Sequence, residues 1–259
     1  MRASVAWLAV IGLMGSAPNV QAQARGRAGG GPPQTARVAA PIDLSGYWVS
    51  VVTEDWRYRM VTPAKGDYQG IPMTPAAVKA ADSWDPDADT AAGLQCKSYG
   101  AGIIMRVPGR LRIAWHDDET LRIETDAGTQ TRVLRFAPGA AASTGRSWQG
   151  DSAAQWQMPR GSRGRAGASP SPPRNGSLKV VTTNLRAGYL RKNGVPYSER
   201  ATITEHFDVA PLPDGGRLLL VTTIIEDPVY LNAPYVVSPH FKKEADGSKW
   251  DPSPCSSTW

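Results

Sequence analysis

Glu205 occupies an unusual place in its segment. From Glu199 to Ala210 the chain alternates, with Glu199, Ala201, Ile203, Glu205, Phe207 and Val209 on one face and Arg200, Thr202, Thr204, His206 and Asp208 on the other. The second face is polar and suits solvent, so the first faces inward and carries Glu205 between Ile203 and Phe207. A carboxylate in that setting must be paired, hydrogen-bonded or shifted upward in pKa. Glu205 is therefore the candidate general acid, base or ligand anchor. The competing reading is an inward glutamate paired with an arginine such as Arg106, Arg122 or Arg135.

The aromatic residues form the second group. The same parity puts Trp115 with Leu111 and Ile113, and Trp48 with Leu44, Gly46 and Val52. Inward tryptophans in a β-fold are either core or a wall for an apolar ligand. Trp48, Trp115, Trp156, Phe207 and Tyr230 are the candidate ligand-binding residues, with Tyr230 in a Pro/Tyr-rich segment able to lid one end. Other chemistries find little support. His116, His206 and His240 are widely spaced, and no His-x-His, His-Glu-x-x-His or Cys-x-x-Cys pattern occurs, so neither a metal site nor a cofactor is expected. Gly-x-Ser-x-Gly is absent, which excludes an α/β-hydrolase nucleophile. Glu124 and Asp126 share a strand face with Arg122 and read as a solvated charge ladder.

These residues need strands to hold them. Period-2 alternation runs through Leu44–Val52, Gly102–Val107, Arg110–His116, Thr120–Asp126, Gln130–Phe136, Ala154–Met158, Ser177–Thr183, Glu199–Ala210 and Arg217–Glu226. Turn chemistry separates them at Pro108-Gly109, Asp117-Asp118, Asp126-Ala127-Gly128 and Pro213-Asp214-Gly215-Gly216. Thr74–Trp84 alone has helical character, with Thr74 as cap and Pro75 at the first position. The expectation is one all-β domain, a single antiparallel barrel of about 8–10 strands with one short helix, because closure removes exposed edges. A β-sandwich is the alternative.

The formal charge is +6. Arg2, Arg25, Arg27, Arg37, Arg160, Arg163, Arg165 and Arg174 lie in segments without an acidic residue, so the rest of the chain carries about −2. Those arginines sit among Gly and Pro without aromatic partners, which argues against nucleic-acid binding. Residues 1–22 have the three-part layout of a secretory signal peptide, with Arg2 followed by an apolar run and a Val20-Gln21-Ala22 cleavage pattern. Residues 23–41 read as a flexible leader, 42–259 as the β-barrel domain, and 159–176 as a disordered Pro/Gly-rich loop within it. No other run approaches the ~18 apolar residues of a membrane helix, so the mature chain is not expected to enter a membrane. Export, to the periplasm or beyond the cell, makes Cys96 and Cys255 an expected disulfide. Two free buried thiols are the alternative. Oligomeric state is left open.

Several segments resemble exported bacterial proteins of unassigned function with a lipocalin-like barrel. They are Gly46-Tyr47-Trp48, Gln95-Cys96-Lys97-Ser98-Tyr99-Gly100, Trp148-Gln149-Gly150 with Trp156, Thr204-Glu205-His206-Phe207 and Glu226-Asp227-Pro228-Val229-Tyr230. The resemblance covers most of Pro41–Cys255 and implies fold and export, without assigning catalytic residues. The function expected is binding of a small, largely apolar molecule. The alternatives are an enzyme of the same fold (a lyase, isomerase or hydrolase) using Glu205, and a structural envelope protein with a filled barrel.

Overall fold

The computed structural model describes residues 34–137, 144–158 and 176–258. The expected signal peptide, most of the expected leader and nearly all of the loop at 159–176 lie outside these residues. The strands are β1 (Gly46–Val51), β2 (Arg110–Asp117), β3 (Thr120–Thr125), β4 (Thr131–Arg135), β5 (Asp151–Gln157), β6 (Ser177–Thr183), β7 (Gly188–Tyr189), β8 (Pro196–Tyr197), β9 (Thr202–Pro211), β10 (Arg217–Glu226), β11 (Tyr235–Val237) and β12 (His240–Lys243). The helices are α1 (Trp56–Arg59), α2 (Pro75–Asp82) and α3 (Pro86–Ala91).

Nine strands close into a barrel in the order β1-β2-β3-β4-β5-β6-β9-β10-β12 and back to β1. β11 continues the edge of β10 beyond β12, and β7 and β8 form a separate hairpin. The barrel is mixed where antiparallel pairing was expected, because β4 and β5 run parallel at Leu134↔Ser152 and Arg135↔Ala153. A parallel pair needs a crossover of about a dozen residues or more, and the chain between β4 and β5 supplies one. The remaining neighbours are joined through antiparallel ladders. Tight turns join several of them, as at Asp214, whose carboxylate accepts from Gly216 N at 2.9 Å to close the β9–β10 hairpin.

Three expectations change in detail. Gly102–Val107 forms no strand, because its residues are buried on every side and have no solvent-facing half to alternate with. It runs through the core as a plug containing a 3₁₀ turn at Ile104–Arg106. The single expected helix is present as α2, with Thr74 Oγ1 accepting from Ala77 N at 3.2 Å. It is joined by two shorter ones, of which α3 is capped by Asp85. The compact unit also begins at Gln34, inside the expected leader. Ala36 N donates to Glu119 and Arg37 N to Asp118 O, which docks this turn on the β2–β3 connection.

Inward residues stack in layers along the barrel. One apolar cluster holds Trp48, Ile113, Ile123, Leu134, Leu178, Val180, Phe207, Leu219, Val221 and Phe241. A second, at the end bearing the β7–β8 hairpin, holds Leu190, Val195, Tyr197, Ile203, Ile225 and Tyr235. On β9 the sequence Ile203, Glu205, Phe207 steps from the second cluster to the first with the carboxylate between them. Trp48 anchors the β1–β12 seam. Its indole donates to Leu44 O at 2.9 Å, and the Lys243 ammonium lies 4.5 Å from its ring centre. Gly46 suits this position because its φ of +110° is a conformation that residues with a Cβ rarely adopt.

The tail returns to the barrel through a Cys96–Cys255 disulfide, whose partners are 159 residues apart. Such a bond accords with a non-reducing environment. Among the described residues no helix is long and apolar enough to cross a membrane. Nearby, the buried Lys192 ammonium donates to Tyr99 Oη at 2.8 Å and to Ser256 O at 3.0 Å. Burial pushes this lysine down to about 7.

Two outcomes follow for the tail. Replacing both cysteines by serine should lower the unfolding free energy in urea by about 3–5 kcal/mol, since the bond closes a long loop in the unfolded chain. Lys192 has a lower pKa folded than unfolded, so charging it opposes folding, and stability should climb as pH rises from about 7 toward 9. Thermal melts across that range should show the climb in the native protein and a flatter profile in Lys192→Met.

Candidate functional site

Glu205 is fully buried, and its partner is Arg132 on β4. Two strands, β5 and β6, separate β4 from β9 in the sheet, so the pair crosses the barrel interior. It is bidentate, with Nη1 donating to Oε1 at 2.9 Å and Nη2 to Oε2 at 2.5 Å. Both side chains are completely shielded from solvent. Thr182 on β6 accepts from Arg132 Nη2 at 3.3 Å and shares a hydrogen bond with Ser152 on β5 at 2.8 Å. Thr223 stands opposite Glu205 on β10. The interior thus holds a polar layer between two apolar clusters.

Glu205 faces inward as its parity implied, but its arginine is none of the three expected. Arg106 is engaged by Asp55 and by the Tyr235 hydroxyl, and Arg122 and Arg135 point out of the barrel beside the inward Ile123 and Leu134. Arg132 shares its inward face with Leu134.

The candidate ligand-binding residues separate into three places. Trp48 and Phe207 are wholly buried in the larger cluster. Trp115 and Trp156 are half-buried at one end of the barrel, where Phe136 joins them with ring centres 5.2–6.4 Å apart. The docked N-terminal turn lies over this trio, and Trp156 Nε1 donates to Ala36 O at 2.7 Å. Tyr230 is at the opposite end, on the rim of a cleft.

That cleft, of about 360 Å³, lies between the α2–α3 corner and the β7–β8 hairpin. Trp84, Tyr189, Tyr197 and Tyr230 supply its aromatic surfaces, and Asp85, Asp89 and Lys97 its charges. Tyr189 Oη donates to Asp89 Oδ2 at 2.7 Å and accepts from Lys97 Nζ at 3.0 Å. Lys97 also lies 3.4 Å from Asp89 Oδ1 and 4.6 Å from the Tyr189 ring centre. Burial, reinforced by the adjacent Asp89 carboxylate, holds the Tyr189 hydroxyl protonated far above its usual range. Tyr197 forms the inner wall. Burial raises it as well, partly opposed by the nearby Arg132 charge, so the cleft backs onto the polar layer. Gly100, Gly102 and Gly188 crowd the Tyr197 ring and hydroxyl so closely that a Cβ at any of them would come within 3 Å. The Trp84 indole N–H and the Tyr197 hydroxyl are buried without a hydrogen-bond partner among the described residues.

Of these residues, sequence reasoning singled out only Tyr230. Trp84 closes the segment read as helical and lies just beyond α2, while Asp89, Lys97, Tyr189 and Tyr197 come from a six-residue helix, a 3₁₀ turn and two-residue strands too short to carry a periodic signal. The cluster of glycines and aromatics in Tyr99–Gly102 and Gly188–Tyr197 was the available cue. Among the described residues no group of three or more His, Cys, Asp or Glu is placed to hold a metal ion. Comparison with protein-family models, with curated proteins and with solved structures returns no match.

The ion pair makes a quantitative expectation. Glu205→Leu leaves Arg132 charged, buried and unpaired, and should cost about 3–5 kcal/mol in chemical denaturation. Arg132→Met combined with Glu205→Leu should recover most of that loss. A double variant no more stable than Glu205→Leu alone would mean that the loss does not come from a stranded charge.

Proposed function

We propose that this chain is an exported, lipocalin-like barrel that binds a small molecule, and that the ligand enters the cleft lined by Trp84, Asp89, Lys97, Tyr189, Tyr197 and Tyr230 instead of the barrel lumen. The observation that carries the reading is the composition of that cleft. It combines aromatic walls and convergent polar groups in about 360 Å³, within the range of small-molecule sites. The lumen offers less, because Trp48, Phe207 and Phe241 are fully buried against one another's cluster and would have to be displaced. Export is supported by the signal-peptide layout of residues 1–22 and by the disulfide.

The half-buried trio of Trp115, Phe136 and Trp156 favours a second reading, in which an apolar ligand displaces the docked turn at the other end.

Native mass spectrometry of the protein purified from its own host distinguishes the two. A co-purified small molecule should be lost from Tyr230→Ala, with affinity falling at least tenfold, or about 1.4 kcal/mol. It should be retained by Trp115→Leu. Loss from Trp115→Leu with retention by Tyr230→Ala would move the site to the aromatic end.

A further inference from the structure

We propose that the cleft between the α2–α3 corner and the β7–β8 hairpin takes a neutral ring carrying several hydroxyl groups, a saccharide-type ligand, with hydroxyls bridging Asp89 and Lys97 and a ring face against the aromatic wall. The inference rests on the proposed binding function and names the ligand class for that site.

The charges argue first. Lys97 and Asp89 lie 3.4 Å apart and neutralise one another, and Asp85 is engaged by the first amides of α3, so an anionic ligand finds no unmatched cation to offset its desolvation. This disfavours carboxylates and phosphates.

Hydrogen-bonding capacity argues second. Tyr189 is fully committed, donating to Asp89 and accepting from Lys97. Lys97 has three donors, of which these contacts use two, and the Asp89 carboxylate keeps free lone pairs. Trp84 Nε1 and the Tyr197 hydroxyl are shielded from the cleft, so these two residues offer the ligand ring surface. Asp89 and Lys97 are largely shielded, so either one left with unsatisfied hydrogen-bonding capacity carries a desolvation cost. The matching ligand must donate to a carboxylate and accept from an ammonium over the 3.4 Å that separates them. A hydroxyl does both at one atom, and adjacent ring hydroxyls repeat the pattern. A hydrocarbon does neither.

The walls argue third. Trp84, Tyr189, Tyr197 and Tyr230 surround the site with polarisable faces and polar edges, which suits a ring with an apolar face and a polar rim.

Saturation-transfer NMR on the full chain tests this with glucose, N-acetylglucosamine and cellobiose as probes and 1-naphthol as the apolar control. The proposal expects transfer to sugar ring protons, abolished in Tyr230→Ala and reduced at least tenfold in affinity in Asp89→Asn, with both variants giving native-like melts. Should Asp89→Asn melt early, Lys97→Met serves in its place. If no sugar receives transfer while 1-naphthol does, and Tyr230→Ala abolishes it, the cleft is a binding site but the ligand class is wrong. Sugar binding that survives Tyr230→Ala overturns the assignment to this cleft. If no probe shows binding sensitive to Tyr230→Ala, both the ligand class and the proposed function fail.

Discussion

A guanidinium and a carboxylate, fully shielded from water, sit face to face in the middle of the barrel. Arg132 and Glu205 come from strands that never touch, so their pairing fixes the separation and relative height of two opposite walls. The cost of taking both charges out of water is offset only if every strand between them delivers its own partner at the right level. Thr182 on β6 does so directly, and Ser152 on β5 does so through its hydrogen bond to Thr182. A slip of one residue in any of these registers would send the polar group outward and an outward-facing side chain inward, stranding a charge. The buried pair therefore acts as a register gauge for half of the barrel.

The pair also divides the interior by function. Above it, the larger cluster from Trp48 to Phe241 closes the barrel as packed core. Below it, the second cluster supports a cap built from short helices, a 3₁₀ turn and the β7–β8 hairpin, and the cleft opens in that cap. Tyr197 belongs to both regions. Its ring completes the second cluster and lines the cleft, and it lies near enough to Arg132 to feel its charge. Short helices, a 3₁₀ turn and a small hairpin thus form the proposed ligand site while the long strands hold it from behind.

Period-2 alternation was sufficient to read most barrel strands and to turn Glu205 inward, because one face of each strand is buried and the other is wet. It could not pair Glu205 with Arg132, since that contact spans the lumen and depends on the height of each residue within a closed ring. It misread Gly102–Val107, where burial on all sides removes the polar half of the alternation. It was silent on β7, β8, β11 and β12, which span two to four residues, too few to establish a period. The cleft was nearly illegible for the same reason. Its residues are gathered by tertiary packing from segments whose local pattern says only that they turn.

The seam between β1 and β12 sets a condition on how the molecule is assembled. The first barrel strand is hydrogen-bonded on one side to the last, at Trp48↔Lys243 and Ser50↔Phe241. Until β12 has left the ribosome, β1 presents an unpaired edge and Trp48 lacks the lysine that covers it. Contacts so distant in sequence are slow to form, and an open strand edge invites pairing with other chains. The ring can be completed only after the chain has been made through Lys243, and the Cys96–Cys255 bond, which needs residues further on, then locks that closure. Until then the open edge of β1 has to be kept from pairing with other chains.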